Sequence, residues 1–191
     1  MNFVEAAAAV VEATKRPEKI NTIYRKLNSA ISMYSLDNKF QRDFEEILLP
    51  VVSTVYKQAL ALSLLPRFRH FRYIKKGGTK LFLKPLNDNE LFSKDDCPDK
   101  YYIAGDYFHI YSSTLIAGID IGYYKHPPIL SSAANNNTYW LLDVAPWMII
   151  DKAIAEIFRD IGDEKSLQAH LASARDSYMT ARKDLGISTE L

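Results

Sequence analysis

The chain has 191 residues, 48% of them hydrophobic and 25% charged, and a formal net charge of +1 at pH 7. Such a composition excludes a disordered chain and suits one medium-sized domain with a proper core. The near-neutral balance excludes the overall basic footprint of an unspecific nucleic-acid binder, and the single Cys97 excludes an internal disulfide. The opening MNFVEAAAAVVEATKR carries Glu5 inside its apolar run, and no apolar stretch of membrane-spanning length follows, so a soluble, intracellular product is expected.

Residues 2–14 are alanine-rich, with Phe3, Val10 and Val11 as large apolar positions, and read as a short helix ended by Lys15-Arg16-Pro17. Ile20, Ile23, Tyr24, Leu27, Ile31 and Tyr34 recur at helical spacing and predict a second helix that stops at Asp37-Asn38. Residues 40–66 fit two patterns. Phe44, Ile47 and Leu48 suit a helix, but Pro50 interrupts it and Val51-Val52 favour extension. Tyr56, Gln58, Leu60, Leu62 and Leu64 then recur with period two, which predicts a strand over 53–64. Residues 67–84 read as a hairpin turning at Gly77-Gly78, with a bulge near His70 where the alternation slips. An acidic, turn-rich loop fills 86–100.

Residues 101–130 hold six of the twelve tyrosines, with β-branched residues between them, and read as antiparallel strands. Gly105-Asp106 suits a two-residue type II′ turn, because glycine accepts the positive φ at its first position. Phe108 and Ile110 alternate with Tyr107, His109 and Tyr111, and Ile119, Ile121 and Tyr123 alternate with Asp120, Gly122 and Tyr124. Residues 131–138 (SSAANNNT) have no apolar anchor and read as a mobile linker. Pro146 opens a helix with the stripe Trp147, Ile150, Ile154, Ile157, Phe158 and Ile161. Gly162 caps it, and Asp163 starts another with the stripe Leu167, Leu171, Ala174, Tyr178, Ala181 and Leu185. The expected fold class is therefore α+β: N- and C-terminal helices (about 2–35 and 146–185) forming a small helical bundle with an inserted antiparallel β region (about 53–126). The whole of 1–191 is expected to be a single domain, with Ile23, Leu27 and Ile31 closing a three-helix core.

Seven basic residues and no acidic one lie from Arg67 to Lys84, namely Arg67, Arg69, Arg72, Lys75, Lys76, Lys80 and Lys84. With Phe68, Phe71 and Tyr73 among them they suit three readings: a solvated hairpin neutralised by the following loop, a docking surface for an acidic protein, or a nucleic-acid backbone contact. Asp95, Asp96 and Asp99 lack the alternating ligands and central glycine of a calcium loop. His109 and His126 have no ligand partners at metal-binding spacing, and His170 falls on or beside the last apolar stripe. No nucleophile-elbow, phosphate-loop, dinucleotide or zinc-protease motif occurs, so no catalytic, cofactor or metal residue is singled out.

Several short motifs in a fixed order carry a family resemblance. They are Thr14-Lys15-Arg16-Pro17 after the first helix, Leu65-Pro66-Arg67-Phe68-Arg69, Tyr101-Tyr102-Ile103-Ala104-Gly105, Gly122-Tyr123-Tyr124-Lys125-His126-Pro127-Pro128, and Ile161-Gly162-Asp163-Glu164. Together they span nearly the whole chain and resemble the head-to-tail adaptor (head-completion, tail accessory) proteins of short-tailed bacteriophages. The resemblance implies a non-enzymatic virion protein, made in the host cytoplasm. It implies a homo-oligomeric ring of about a dozen copies that binds the portal protein and a tail nozzle or tail tube protein. Packaged DNA would pass through its channel without sequence-specific binding, and no membrane or cofactor is involved. No catalytic residue carries over; Arg67, Arg69, Arg72, Tyr107 and Tyr124 are expected interface residues, since interfaces favour arginine and tyrosine. A tail-associated module that holds a glycan or peptide on the tyrosine block, and a cell-wall hydrolase, are the alternatives.

Overall fold

A computed structural model describes residues 1–53, 57–86, 99–112 and 116–182. The chain divides into two compact units, Met1–Asp43 with His126–Leu191 and, between them in sequence, Phe44–Lys125.

The first unit is helical. Its α1 (Phe3–Thr14) starts at Asn2, whose side chain accepts from the Glu5 N–H while the Glu5 carboxylate accepts from the Asn2 N–H. This capping box satisfies donors that a first turn leaves open. A left-handed Lys15 (φ 55°) ends the helix. α2 (Ile20–Asp37) follows the short turn Pro17–Lys19 and buries Ile23, Leu27, Ala30 and Ile31. The chain returns through α3 (Trp140–Val144), α4 (Pro146–Ile161) and α5 (Glu164–Ala181). Gly162 at φ 76° closes α4, and Asp163 opens α5 by accepting from the Ser166 N–H at 3.1 Å. α4 is the most deeply covered element, with Met148, Ile149, Ile150, Ala153, Ile154 and Ile157 packed among α1, α2 and α5. The core also takes in Phe3, Ala6, Ala7 and Val10 of α1 and Leu141 and Leu142 of α3, so it reaches beyond the three helices expected.

The polar stretch 131–138 is tied in by backbone groups. It holds a single turn at Ala134–Asn136, and the Asn137 carbonyl accepts from the Phe3 N–H at 2.7 Å. Just before it, the Asn28 side-chain amide grips Leu130, donating to its carbonyl at 2.9 Å and accepting from its N–H at 2.8 Å.

The second unit overturns the expectation of a helical bundle with a small β insertion. It is one curled seven-stranded sheet holding more than a quarter of the chain's residues. The strands are β1 (Phe44–Ser53), β2 (Lys57–Ala61), β3 (Phe68–Lys76), β4 (Phe82–Pro85), β5 (Lys100–Ala104), β6 (Tyr107–Tyr111) and β7 (Ile116–Lys125), in the order β1-β7-β3-β4-β5-β6-β2. All neighbours run antiparallel except β4 and β5. The sheet has its own core of Leu49, Leu65, Ile74, Leu83, Phe108, Ile110, Ile119, Ile121 and Tyr123, so it stands on more than its attachment to the helices.

The physical reason for the correction lies at Phe44–Ser53. Phe44, Ile47 and Leu48 match a helical spacing, but β7 offers a ten-residue partner, and tertiary pairing overrides a weak local pattern. Pro50 is tolerated because β1 is an edge strand. The strand expected over 53–64 is shorter than predicted: β2 ends at Ala61, and Leu62–Leu64 form a 3-10 turn whose first N–H donates to the Asp106 carbonyl.

The hairpin at Gly77-Gly78 also differs. The Lys76 N–H reaches the Leu81 carbonyl, giving a wider loop, because Gly77 is held against β7. Its N–H donates to the Gly118 carbonyl at 2.7 Å, and a Cβ there would sit 2.8 Å from Gly118 backbone. At Gly105-Asp106 the two-residue turn forms with positive φ at Gly105 alone, as a type II′ turn requires.

Ile154 is 2% exposed at the centre of the helical core, whereas Trp147 on the same helix is 55% exposed. Ile154→Ala is expected to lower stability by about 2–5 kcal/mol, and Trp147→Ala by less than about 1 kcal/mol. Urea melts of the two variants against the parent check this ordering; equal losses would show that α4 does not pack as described.

Candidate functional site

The most structured surface of the β unit is the outer face of β1, β7, β3 and β4, where register alone sets out its rows. Leu48, Asp120, Lys75 and Phe82 lie side by side across the four strands. Glu46, Gly122 and Tyr73 form the next row, and Phe44, Tyr124 and His70 the one after. Rings in these rows form an unbroken chain of contacts: Phe82 edge-on to Tyr73 (5.7 Å between centroids), Tyr73 to Phe44 (6.3 Å), Phe44 to Tyr124 (5.6 Å), and Tyr124 stacked on His70 (4.9 Å). Gly122 permits it. A Cβ there would come 2.5 Å from Tyr73 Cε1 and 2.8 Å from Phe44 Cζ, so only glycine lets the two rings fold over β7.

Charges are threaded through the rings. The Arg72 guanidinium lies over Phe44 at 5.3 Å and the Lys75 ammonium over Tyr73 at 5.3 Å, both at cation–π range. Lys75 also faces Asp120 at 3.6 Å, and the Tyr73 hydroxyl donates to Glu46 Oε1 at 2.6 Å. Burial, with the Glu46 and Asp120 carboxylates adding to it, pushes the Tyr73 hydroxyl up to about 12. On the core side, burial and Glu45 raise Tyr123 to about 12. The Lys125 ammonium, 2.8 Å from Glu45 Oε2, holds the Glu45 carboxyl below its usual range, with Arg67 adding to the effect.

The expected interface residues separate into two kinds. Between Phe68↔Lys125 and His70↔Tyr124, and again between Phe71↔Tyr123 and Tyr73↔Gly122, β3 spends one residue more than β7. The extra residues of these two bulges are Arg69 and Arg72. Bulges re-aim side chains, which accounts for the slipped alternation near His70. Arg67 precedes β3 in a left-handed conformation (φ 55°) and is exposed. Tyr107, next to the β5–β6 turn, is 51% exposed. Tyr124 is not: it is 6% exposed between Phe44 and His70, a packing residue within its unit.

Of the seven basic residues, Lys75 pairs with Asp120, and Lys76 is buried with its ammonium 2.6 Å from Asp99. Phe82 was not singled out by residue type, although its outward place is legible from the alternation of Leu81 and Leu83 with Lys80, Phe82 and Lys84.

The other candidate groups resolve into packing. Tyr102 stacks on His109 (4.6 Å, 9°) and on Tyr111 (5.9 Å, 23°). His170 Nδ1 lies 2.8 Å from Asp151 Oδ1 and its ring stacks on Phe158, while Ser173 Oγ donates to Asp151 Oδ2 at 2.7 Å. A serine activated for attack must be bonded to the histidine; here the serine and the histidine share one aspartate, which ties α5 to α4. Asp43 is likewise buried, accepting from the Tyr139 hydroxyl at 2.8 Å and from Trp140 Nε1 at 2.9 Å. Among the described residues no group of three His, Cys, Asp or Glu is placed to hold a metal ion, and no helix is long and apolar enough to cross a membrane. Cys97, Asp95 and Asp96 lie outside the described residues.

Two measurements follow from this face. Gly122→Ala is expected to cost about 1–3 kcal/mol by forcing Tyr73 and Phe44 apart, with a changed near-ultraviolet circular dichroism; an unchanged melt would show that the rings do not cross Gly122. Tyr73 and Tyr123 hold their protons more tightly when folded than in the unfolded chain, where tyrosine titrates near 10. Their contribution to stability is therefore complete below about pH 10 and is lost as pH rises towards 12. Tyr73→Phe should flatten the fall in stability over that window, and an unchanged slope would contradict it.

No protein-family profile matches the chain, and no characterised protein matches it by sequence.

Proposed function

We propose that the chain is a structural head-to-tail adaptor of a tailed bacteriophage virion, a non-enzymatic subunit that binds the portal ring and extends or closes the DNA channel for tail attachment. One observation carries this reading beyond the order of the motifs. The chain builds two compact units with separate cores, one from both terminal segments and one from Phe44–Lys125. A subunit in a closed ring makes heterologous contacts, which need unlike surfaces on one chain, and two unlike units supply them. The helical unit offers the outer face of α5, which buries only Leu167 and Ala174, and the β unit offers the bulged aromatic and cationic face around Tyr73 and Arg72.

Mixing the purified chain with a portal ring, followed by sedimentation and electron microscopy, tests the proposal. The expected result is a complex with a fixed ratio, close to one adaptor per portal subunit. A chain that stays monomeric beside the portal contradicts it, and a clearing band on a cell-wall zymogram would favour the hydrolase instead.

A further inference from the structure

We propose that the outer face of the β3–β4 hairpin, centred on Phe82, is the docking surface for an acidic protein segment that carries an apolar side chain. This deepens the adaptor reading by naming the chemistry of one partner, and rests on that reading only for where the partner comes from.

Phe82 is 58% exposed although β4 carries it and its ring is held edge-on against Tyr73. An exposed ring fixed by a neighbouring ring is an anchor that costs little ordering entropy when a partner covers it. Leu48, at the far end of the same row, is 61% exposed. Positive charge surrounds the anchor. Lys84 lies two residues along β4 and so on the same face, Lys75 is directly opposite, Lys80 enters from the turn, and Arg72 stands on its bulge beyond Tyr73. Lys80, Lys84 and Arg72 are exposed, and no acidic side chain among the described residues pairs with them. The two acids on the face are already engaged: Asp120 with Lys75, and Glu46 with the Tyr73 hydroxyl.

Charge complementarity therefore asks for carboxylates outside an apolar centre. A protein segment fits better than a nucleic acid. A phosphate backbone laid across this face would meet Asp120 and Glu46 in its two neighbouring rows, whereas an apolar side chain flanked by acids seats its apolar group on Phe82 and its charges on the rim.

The test uses the full chain with three probes: a glutamate–tyrosine copolymer, polyglutamate, and an oligothymidylate. The copolymer is expected to bind most tightly and to slow hydrogen exchange in β3 and β4. Phe82→Ala and the pair Lys80→Glu, Lys84→Glu should each weaken it by about tenfold, with melting curves close to the parent because all three side chains are exposed. Equal binding of polyglutamate would show ion exchange without an apolar anchor, and tighter oligothymidylate binding lost in the same variants would show a nucleic-acid surface; either overturns the proposal. Copolymer binding untouched by the substitutions overturns it too.

The same variants in the portal assay separate the two ideas. Wild-type complexes formed by both variants would sink the docking surface and leave the adaptor reading standing. A parent chain that binds the copolymer but never the portal would do the reverse.

Discussion

The pairing of β1 with β7 is the constraint on which the rest of the structure depends. The two strands face each other antiparallel from Phe44↔Tyr124 onward, so the residue that enters the β unit lies beside the residues that leave it. A segment whose ends meet can be inserted into another unit without pulling it apart, and the helices before Asp43 and after His126 can then share one core. The pairing is non-local, so its closure entropy must be met by contacts made together, and both strands supply them. Leu49 of β1 and Ile119, Ile121 and Tyr123 of β7 are buried in the sheet core, and Glu45 ties to Lys125 where the strands begin and end.

The same two strands organise the outer face. β7 is flanked by β1 on one side and β3 on the other, and its glycines at Gly118 and Gly122 let side chains from both neighbours lie across it. Leu48 approaches Gly118, and Tyr73 and Phe44 converge over Gly122. The double bulge at Arg69 and Arg72 then turns β3 against a partner that keeps its regular register, bringing a guanidinium over Phe44. A surface with this mixture of fixed rings, engaged acids and exposed cations follows from register and glycine placement, with no special loop required.

Much of the local structure is legible in the residues. Gly162 and Asp163 mark helix ends by their hydrogen-bonding chemistry, and Gly105-Asp106 marks its turn by the one positive φ it needs. Phe108, Ile110, Ile119, Ile121 and Tyr123 are buried in the phase that their alternation predicts. What the residues do not carry is partnership. Phe44–Ser53 fits either period until β7 is set beside it, so the sheet's extent was underestimated and the helical bundle overstated. Gly77-Gly78 has the composition of a tight turn, and only the approach of Gly118 explains why the chain passes through it and turns later. Tyr124 is chosen readily as an interface residue by type, yet burial between Phe44 and His70 depends on two other strands. Arg69 and Arg72 were named for their charge, while the bulges that aim them are a property of register.

Hydrogen exchange measured by mass spectrometry on the free chain tests the central claim most directly, by comparing peptides from β1 with peptides from β7. If β1 closes the β unit against β7, the amides of 44–50 and those of 116–125 that face each other exchange together, at the slow rate of the sheet core. Fast exchange across 44–50 beside a protected β7 would contradict the account, because the strand that brings the ends of the unit together would then not be holding them.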